Sequence, residues 1–255
     1  MPRHIEAYLD GVPISSLGPF LIQAVHEDPP TVELTEGDRP GRSGTMLLSS
    51  KRQSLKVTIE IAIRELYDLQ ARSHYMERLS AWATGKVLQL SSRPDRRLNV
   101  VCTAPPSLGP IRDCTATARV ELTAYTIPFW EDETPTVWTV ENSLTGSLLP
   151  IIPGSAETPV CLSVKPKSAS LTAFSATVAG ETIALSGLSV ATSATLEFGR
   201  DAVDNLAVYS GSTPLLSKRT AESADDLFAG PGKTTFAYSA NTAVDVTIYV
   251  RGRWR

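Results

Sequence analysis

Residues 55–63 read LKVTIEIAI, and the alternation within them decides what kind of protein this is. Leu55, Val57, Ile59, Ile61 and Ile63 fall on one side of an extended chain, and Lys56, Thr58 and Glu60 on the other, because successive side chains of a strand point to opposite faces. The reading is a β-strand with one buried face and one free polar face. The same period returns in CTATARVELTAYTI, residues 114–127. Here Cys114, Ala116, Ala118, Val120 and Leu122 point inward, and Thr115, Thr117, Arg119, Glu121 and Thr123 point outward.

Between these two strands the period changes. Over residues 65–84 the apolar Leu66, Leu69, Met76, Leu79 and Trp82 recur at helical spacing, and Gly85 stands where a C-terminal cap would. Two strands and one amphipathic helix make an α+β unit, a β-sheet or split barrel carrying a single helix. Upstream, IEAYLDGVPISS and PFLIQAV predict a hairpin that feeds this unit. DRPGRSGTMLL, residues 38–48, then reads as a loop ending in a strand. Its Arg39 and Arg42 flank glycines, a composition that suits either a solvated turn or a loop that clasps a neighbour.

The second alternating strand runs out into IPFWEDE, residues 127–133. Proline lacks the N–H that ladder pairing needs, so Pro128 ends the strand, and Phe129 and Trp130 are expected to anchor its end in apolar packing at the domain exit. The acids that follow are expected to turn the chain into solvent. Residues 134–158 are rich in Pro, Gly, Ser and Thr and read as a connector that pairs in part as strand. Beyond it, PVCLSVK, SLTAFSATV, ETIALSG, ATLEFG, NLAVYSG, KTTFAYS and VDVTIYV are short strands separated by turns, which indicates an antiparallel sandwich or jelly roll. The expectation is a mainly β chain with an N-terminal α+β domain (1–133), a connector (134–158) and a C-terminal antiparallel β-sandwich (159–255).

Composition narrows the function classes. A formal charge of −3 with both signs scattered gives no basic stripe of the kind that neutralises phosphates, which argues against sequence-specific nucleic-acid binding. Cys102, Cys114 and Cys161 are too few and too irregular for a disulfide framework and form no C-x-x-C, so buried thiols are expected, with no metal or other cofactor. No stretch approaches the ~20 apolar residues of a membrane helix, and MPRHIEAYLDGVP has no apolar signal region, so the expectation is a protein made in a reducing cytoplasm without membrane insertion.

Catalytic signatures are missing. His4, His26 and His74 show no metal-ligand spacing, and no G-x-S-x-G elbow occurs. AGPGKTT, residues 229–235, ends like a phosphate loop, yet Leu227 stands where the first glycine belongs and TTFAYS reads as a strand, so a hairpin turn is expected. Glu131, Asp132, Glu133, Asp225 and Asp226 could in principle supply the paired carboxylates of a glycosidase. As a solvated acidic face they need no such explanation, and no enzyme is expected.

The order of parts is more specific than any motif. A glycine-arginine loop, LKVTIEIAI, a helix ending in LSAWATGKVLQL, and a long strand closing on Pro128-Phe129-Trp130 resemble the distal tail proteins of long-tailed, non-contractile bacteriophages. The C-terminal half, closing on VDVTIYVRGRWR, resembles that family's galectin-like or carbohydrate-binding-module-like sandwich. Two departures stand out: Ile127 precedes the proline where many relatives carry an acid, and the C-terminal half is short of exposed aromatics. The resemblance implies a hexameric ring of N-terminal domains, a hub of the tail tip or baseplate that lets DNA pass. It implies as partners a tail tube protein, a tail-tip or tail-associated lysin or fibre protein, and a tape measure protein, with localisation in the virion after assembly in the host cytoplasm. Ring closure by a heterologous interface needs two different complementary patches per subunit, for which Arg39, Arg42, Lys56, Thr58 and Glu60 are the candidates. The alternative is a module that binds host-surface saccharide by stacking rings on Phe174, Tyr209, Phe228, Tyr238, Tyr249 or Trp254, most of which alternation would bury.

Overall fold

The structure is a computed structural model and describes residues 5–38 and 45–255. The chain divides into two compact units, Met1–Trp130 and Glu131–Arg255. Unit 1 holds β1 (Ala7–Leu9), β2 (Val12–Pro13), β3 (Phe20–Asp28), β4 (Val32–Asp38), β5 (Thr45–Arg52), β6 (Leu55–Ile63), α1 (Leu69–Trp82), β7 (Val87–Leu90), β8 (Arg93–Asn99), β9 (Val101–Cys102), β10 (Ser107–Leu108) and β11 (Ala116–Ala124).

Strand β6 is the spine of unit 1. It pairs antiparallel with β3 on one edge and with β11 on the other, in the order β10-β11-β6-β3, and β9 also pairs with β11. Its odd-numbered residues are buried as the alternation predicts, but so are Thr58, only 7% exposed, and Ala62. The reason is cross-strand: His26 and Glu121 sit directly opposite Thr58 on the two neighbouring strands, and long side chains flanking a short one shade it. A second ladder, β2-β1-β7-β8, starts from the Asp10-Gly11 turn, whose positive φ values of 49° and 79° are those of a type I′ hairpin. The expected hairpin between the first two segments is therefore replaced by β1–β2 alone, while β3 joins the other sheet.

Helix α1 starts later than its apolar pattern suggests. Asp68 caps it by accepting the Ala71 amide at 2.7 Å, so the helix begins at Leu69, which is 77% exposed. Leu66 is buried ahead of the helix, its amide donating to the Cys114 carbonyl after a turn at Glu65. Leu79 and Trp82 face the core, and the Trp82 indole donates to the Val12 carbonyl at 2.8 Å. Gly85 lies past the cap. A Cβ there would sit 2.7 Å from that of Leu9, so glycine is required by close approach. Cys114, expected inward, is exposed, because Asp113 and Cys114 at φ 49° and 58° form a tight turn closed by Arg112 and Thr115.

Unit 2 begins within β12 (Trp130–Asp132). It continues through β13 (Thr136–Leu148), β14 (Ile151–Ile152), β15 (Thr158–Pro166), β16 (Leu171–Val178), β17 (Glu181–Val190), β18 (Leu196–Arg200), β19 (Leu206–Ser210), β20 (Thr213–Pro214), β21 (Phe228–Ala229), β22 (Gly232–Lys233), β23 (Phe236–Val250) and β24 (Arg253–Trp254). Residues 134–158, expected as a connector, contain the thirteen-residue β13, which pairs along nearly all of β23. On its other edge β23 pairs first with β16 and then with β15. Register breaks between Val140 and Thr145 let β13 follow this change of partner. The two halves pack on each other as a sandwich whose corner is a strand pair that switches sheets. Phe174 of β16 meets Phe198 of β18 at 5.7 Å and Tyr238 of β23 at 6.1 Å in its core. Gly232 and Lys233, expected in a hairpin turn, form β22 against β14, and the strand β23 follows.

The acids of IPFWEDE do not turn into solvent. Asp132 receives the Gly252 amide at 3.1 Å and the Trp254 indole at 2.6 Å, and its own amide donates to the Gly252 carbonyl at 3.0 Å. The Arg251 guanidinium donates to the carbonyls of Asp132 and Glu133. Arg253 is buried between Glu131, at 3.5 Å, and Asp204, at 2.7 Å. The acids and RGRWR thus form a charged seam inside unit 2. Arg253→Met would leave the buried Glu131 and the partly buried Asp204 without their cation, and is expected to cost about 3–5 kcal/mol in urea unfolding. A second check is acid sensitivity. Lys167, at 2.6 Å, and the Asn142 amide, at 2.9 Å, hold the Asp245 carboxyl below its usual 3.8. A lowered folded pKa stabilises above the unfolded pKa and is lost as pH falls through the folded one. Stability is expected to decline below about pH 4, and Asp245→Asn to flatten that decline.

Candidate functional site

The site is built around one interrupted hairpin. The β3–β6 ladder runs from Phe20 opposite Ile63 to Asp28 opposite Lys56, and the β4–β5 ladder resumes it from Val32 opposite Arg52 to Asp38 opposite Thr45. Between them stand Pro29 and Pro30, which have no amide hydrogen to give a ladder. Among the described residues one backbone bond spans the gap, from the Gln53 amide to the Thr31 carbonyl at 2.9 Å, and the Gln53 side chain donates to Glu33 at 3.4 Å. Beyond it β4 and β5 pair only with each other among the described residues, and seven residues of β4 reach about 23 Å at the rise of a strand.

This arm has no core of its own. Val32, Leu34, Met46, Leu47 and Leu48 are all exposed, Leu34 to 55% and Leu47 to 59%. The bulged Leu48 lies over Gly37, where a Cβ would meet it at 2.8 Å. An isolated two-stranded ribbon is marginal in water, and five apolar side chains on one are a surface awaiting cover. The remainder of unit 1 offers a second such feature. β3 is the terminal strand of its sheet, nine residues long, with one edge unpaired among the described residues.

The base of the arm is held by the sequence that first drew notice. The Arg52 guanidinium lies 5.7 Å above the Phe129 ring, and that of Arg93 lies 5.3 Å above the Trp130 ring. Glu27 accepts the Trp130 indole at 3.0 Å and pairs with Arg93 at 3.1 Å on the same oxygen. Trp130 is 1% exposed and Phe129 half-buried. Sequence reasoning missed their partners Glu27, Arg52 and Arg93, which come from three different strands with no local signal linking them.

The other candidates are scattered. Lys56 is exposed and Glu60 half-exposed on the polar face of β6, where His26 approaches Glu60 at 3.8 Å; Arg119 and Glu121 lie beside them on β11 at 3.4 Å. Thr58 is buried and so is not presented on that face. Arg39, Arg42 and His4 lie outside the described residues. His74 is on α1, beside Tyr75. Of the carboxylates weighed for hydrolysis, Asp225 pairs with Arg219 at 3.0 Å, Asp226 with Arg200 at 2.5 Å and Glu131 with Arg253 at 3.5 Å, while that of Asp132 accepts from the Gly252 amide and the Trp254 indole. Burial raises the Cys102 and Cys161 thiols above their usual 9.0, away from the thiolate form a nucleophile needs. Of the saccharide candidates, Phe174 and Tyr238 are core residues, Phe228 lies under Arg200 at 4.9 Å, and Trp254 is bound to Asp132. Tyr209 and Tyr249 are half-buried.

No protein-family model matches the chain, and no curated protein matches it. Among solved structures, the crystal structure of the SPP1 Dit (gp 19.1) protein superposes with a TM-score of 0.71 over 97% of this chain and 98% of that one, at 12% identity. The fold is that of SPP1 Dit. That protein is described as a paradigm of the hub adsorption apparatus in phages infecting Gram-positive hosts. The phage P2 baseplate in its activated conformation with Ca also aligns, over 99% of this chain and 98% of that one, at a TM-score of 0.46 and 9% identity.

Because Leu34, Met46, Leu47 and Leu48 are exposed in the single chain, polar substitution at these positions is expected to be nearly free. Leu47→Ser should change unfolding free energy by less than about 0.5 kcal/mol, measured by urea titration. A loss of about 2 kcal/mol or more would show that Leu47 is packed in the isolated chain.

Proposed function

We propose that this chain is a structural virion protein, the hub of a phage tail tip, and that copies of it close into a ring. The observation that carries this is the Dit fold across the length of both chains, not a shared catalytic or binding residue. The arm and the free β3 edge support it from physics. A ring needs two unlike surfaces on each subunit, and unit 1 carries an apolar ribbon at one place and an unpaired strand edge at another.

In this reading the ring continues the tail tube, joins it to tail-tip or host-binding components, has the tape measure protein among its partners and lets DNA pass through the centre. The chain would be assembled in the host cytoplasm. The outer face of the β3-β6-β11 sheet carries Lys56 and Arg119 against Asp28, Glu60 and Glu121, a balance that suits passage of a polyanion without retention. No chemical step is assigned to the protein. The saccharide-binding alternative has less support, because most of its candidate rings are packed or bonded within unit 2.

The test is the native mass of the purified 27.4 kDa chain by light scattering, with negative-stain imaging of the eluted peak. A mass of about six chains and a particle with a central hole are expected from the fold likeness. A monomer under all conditions, including with tail partners present, would overturn the reading.

A further inference from the structure

The Phe129-Trp130 pair does more than seal the end of a strand. Its two rings meet strands on opposite sides of the break in the ladder. Glu27, two residues before Pro29 and paired with Val57 of β6, lies on the sheet side, and it is tied to Trp130 at 3.0 Å and to Arg93 at 3.1 Å. Arg52, directly before Gln53 and Ser54, is on the returning leg, and it lies over Phe129. Nothing else in the backbone fixes the arm's direction at this point except the single Gln53–Thr31 bond among the described residues. We infer that Phe129 and Trp130, with Arg52, Arg93 and Glu27, form a buttress that sets the angle of the β4–β5 arm and so positions it for assembly. These are positioning residues: none needs to touch a partner.

Three features favour a buttress over a plain core plug. Phe129 is only half-buried, so it does not serve chiefly to fill the core. The contacts to the rings are directional, two guanidinium groups over the ring faces and one indole hydrogen bond to Glu27, which restrains orientation in a way that an apolar filler does not. Finally, the pair grips both sides of the break, Trp130 through Glu27 on β3 and Phe129 through Arg52 on β5, where one backbone hydrogen bond among the described residues spans the gap.

The inference rests on the hub reading only for its consequence in assembly, and the experiment separates the two. Wild type, Arg52→Gln, Phe129→Leu and Glu27→Gln are compared by amide hydrogen exchange and light scattering; the substitutions keep size and remove the aromatic face or the charge. Exchange in residues 32–38 and 45–52 is expected to rise roughly three- to tenfold in the variants, with β6 and β11 as protected as in wild type, and assembly is expected to weaken. Unchanged arm exchange would overturn the buttress even if wild type forms rings. Faster exchange in β6 and β11 as well would also overturn it, since the residues would then be holding the core. Faster arm exchange with undiminished rings would overturn the role in assembly. If wild type itself never assembles, the hub reading fails, while faster exchange confined to the arm would still uphold the buttress.

Discussion

Proline has no amide hydrogen, and two prolines in succession at Pro29–Pro30 divide what would otherwise be one continuous antiparallel hairpin. Much of unit 1 follows from that interruption. On one side of it, β3 and β6 are committed to a sheet whose inner face is core. On the other, β4 and β5 are released from the sheet and carry their apolar residues into the open. An exposed ribbon of this kind would be a liability in a free-standing protein, and it becomes useful only where another surface is at hand.

Charge organises both units where the apolar core ends. In unit 1, two arginines and one glutamate grip the aromatic pair at the exit, on both sides of the break in the ladder. In unit 2, the acids that directly follow those aromatics bind residues 251–255, with Arg253 buried between two carboxylates. A single short sequence, Phe-Trp-Glu-Asp-Glu, thus supplies an aromatic anchor to one unit and an anionic one to the next. Such buried ionic seams add less stability than their number suggests, but they are intolerant of losing one member, which makes them specific.

The strands and their inward faces were legible in the sequence because alternation is a local signal, and β6 and β11 follow it closely. Departures arise where a neighbour decides the outcome. Thr58 alternates as an outward residue and is shaded by His26 and Glu121, which come from other strands. Leu66 and Leu69 fit the helical period, but the start is set by Asp68, whose capping role is itself a readable signal. Cys114 continues the inward register only until the positive φ of its turn ends it. The charged seam joins residues 120 positions apart and had no local mark at all. Of the candidate site, the Phe129-Trp130 pair stood out in the sequence and the arm did not, although the proline pair that creates it stands in plain view.

Proposed as a surface that another molecule of the assembly covers, the β4–β5 arm is tested by amide hydrogen exchange of residues 32–38 and 45–52 in the isolated chain and in the assembled particle. Fast exchange in the isolated chain and strong protection in the assembly are expected from that reading. Equal exchange in the two states would contradict it, because an arm that stays open in the particle cannot be what holds the particle together.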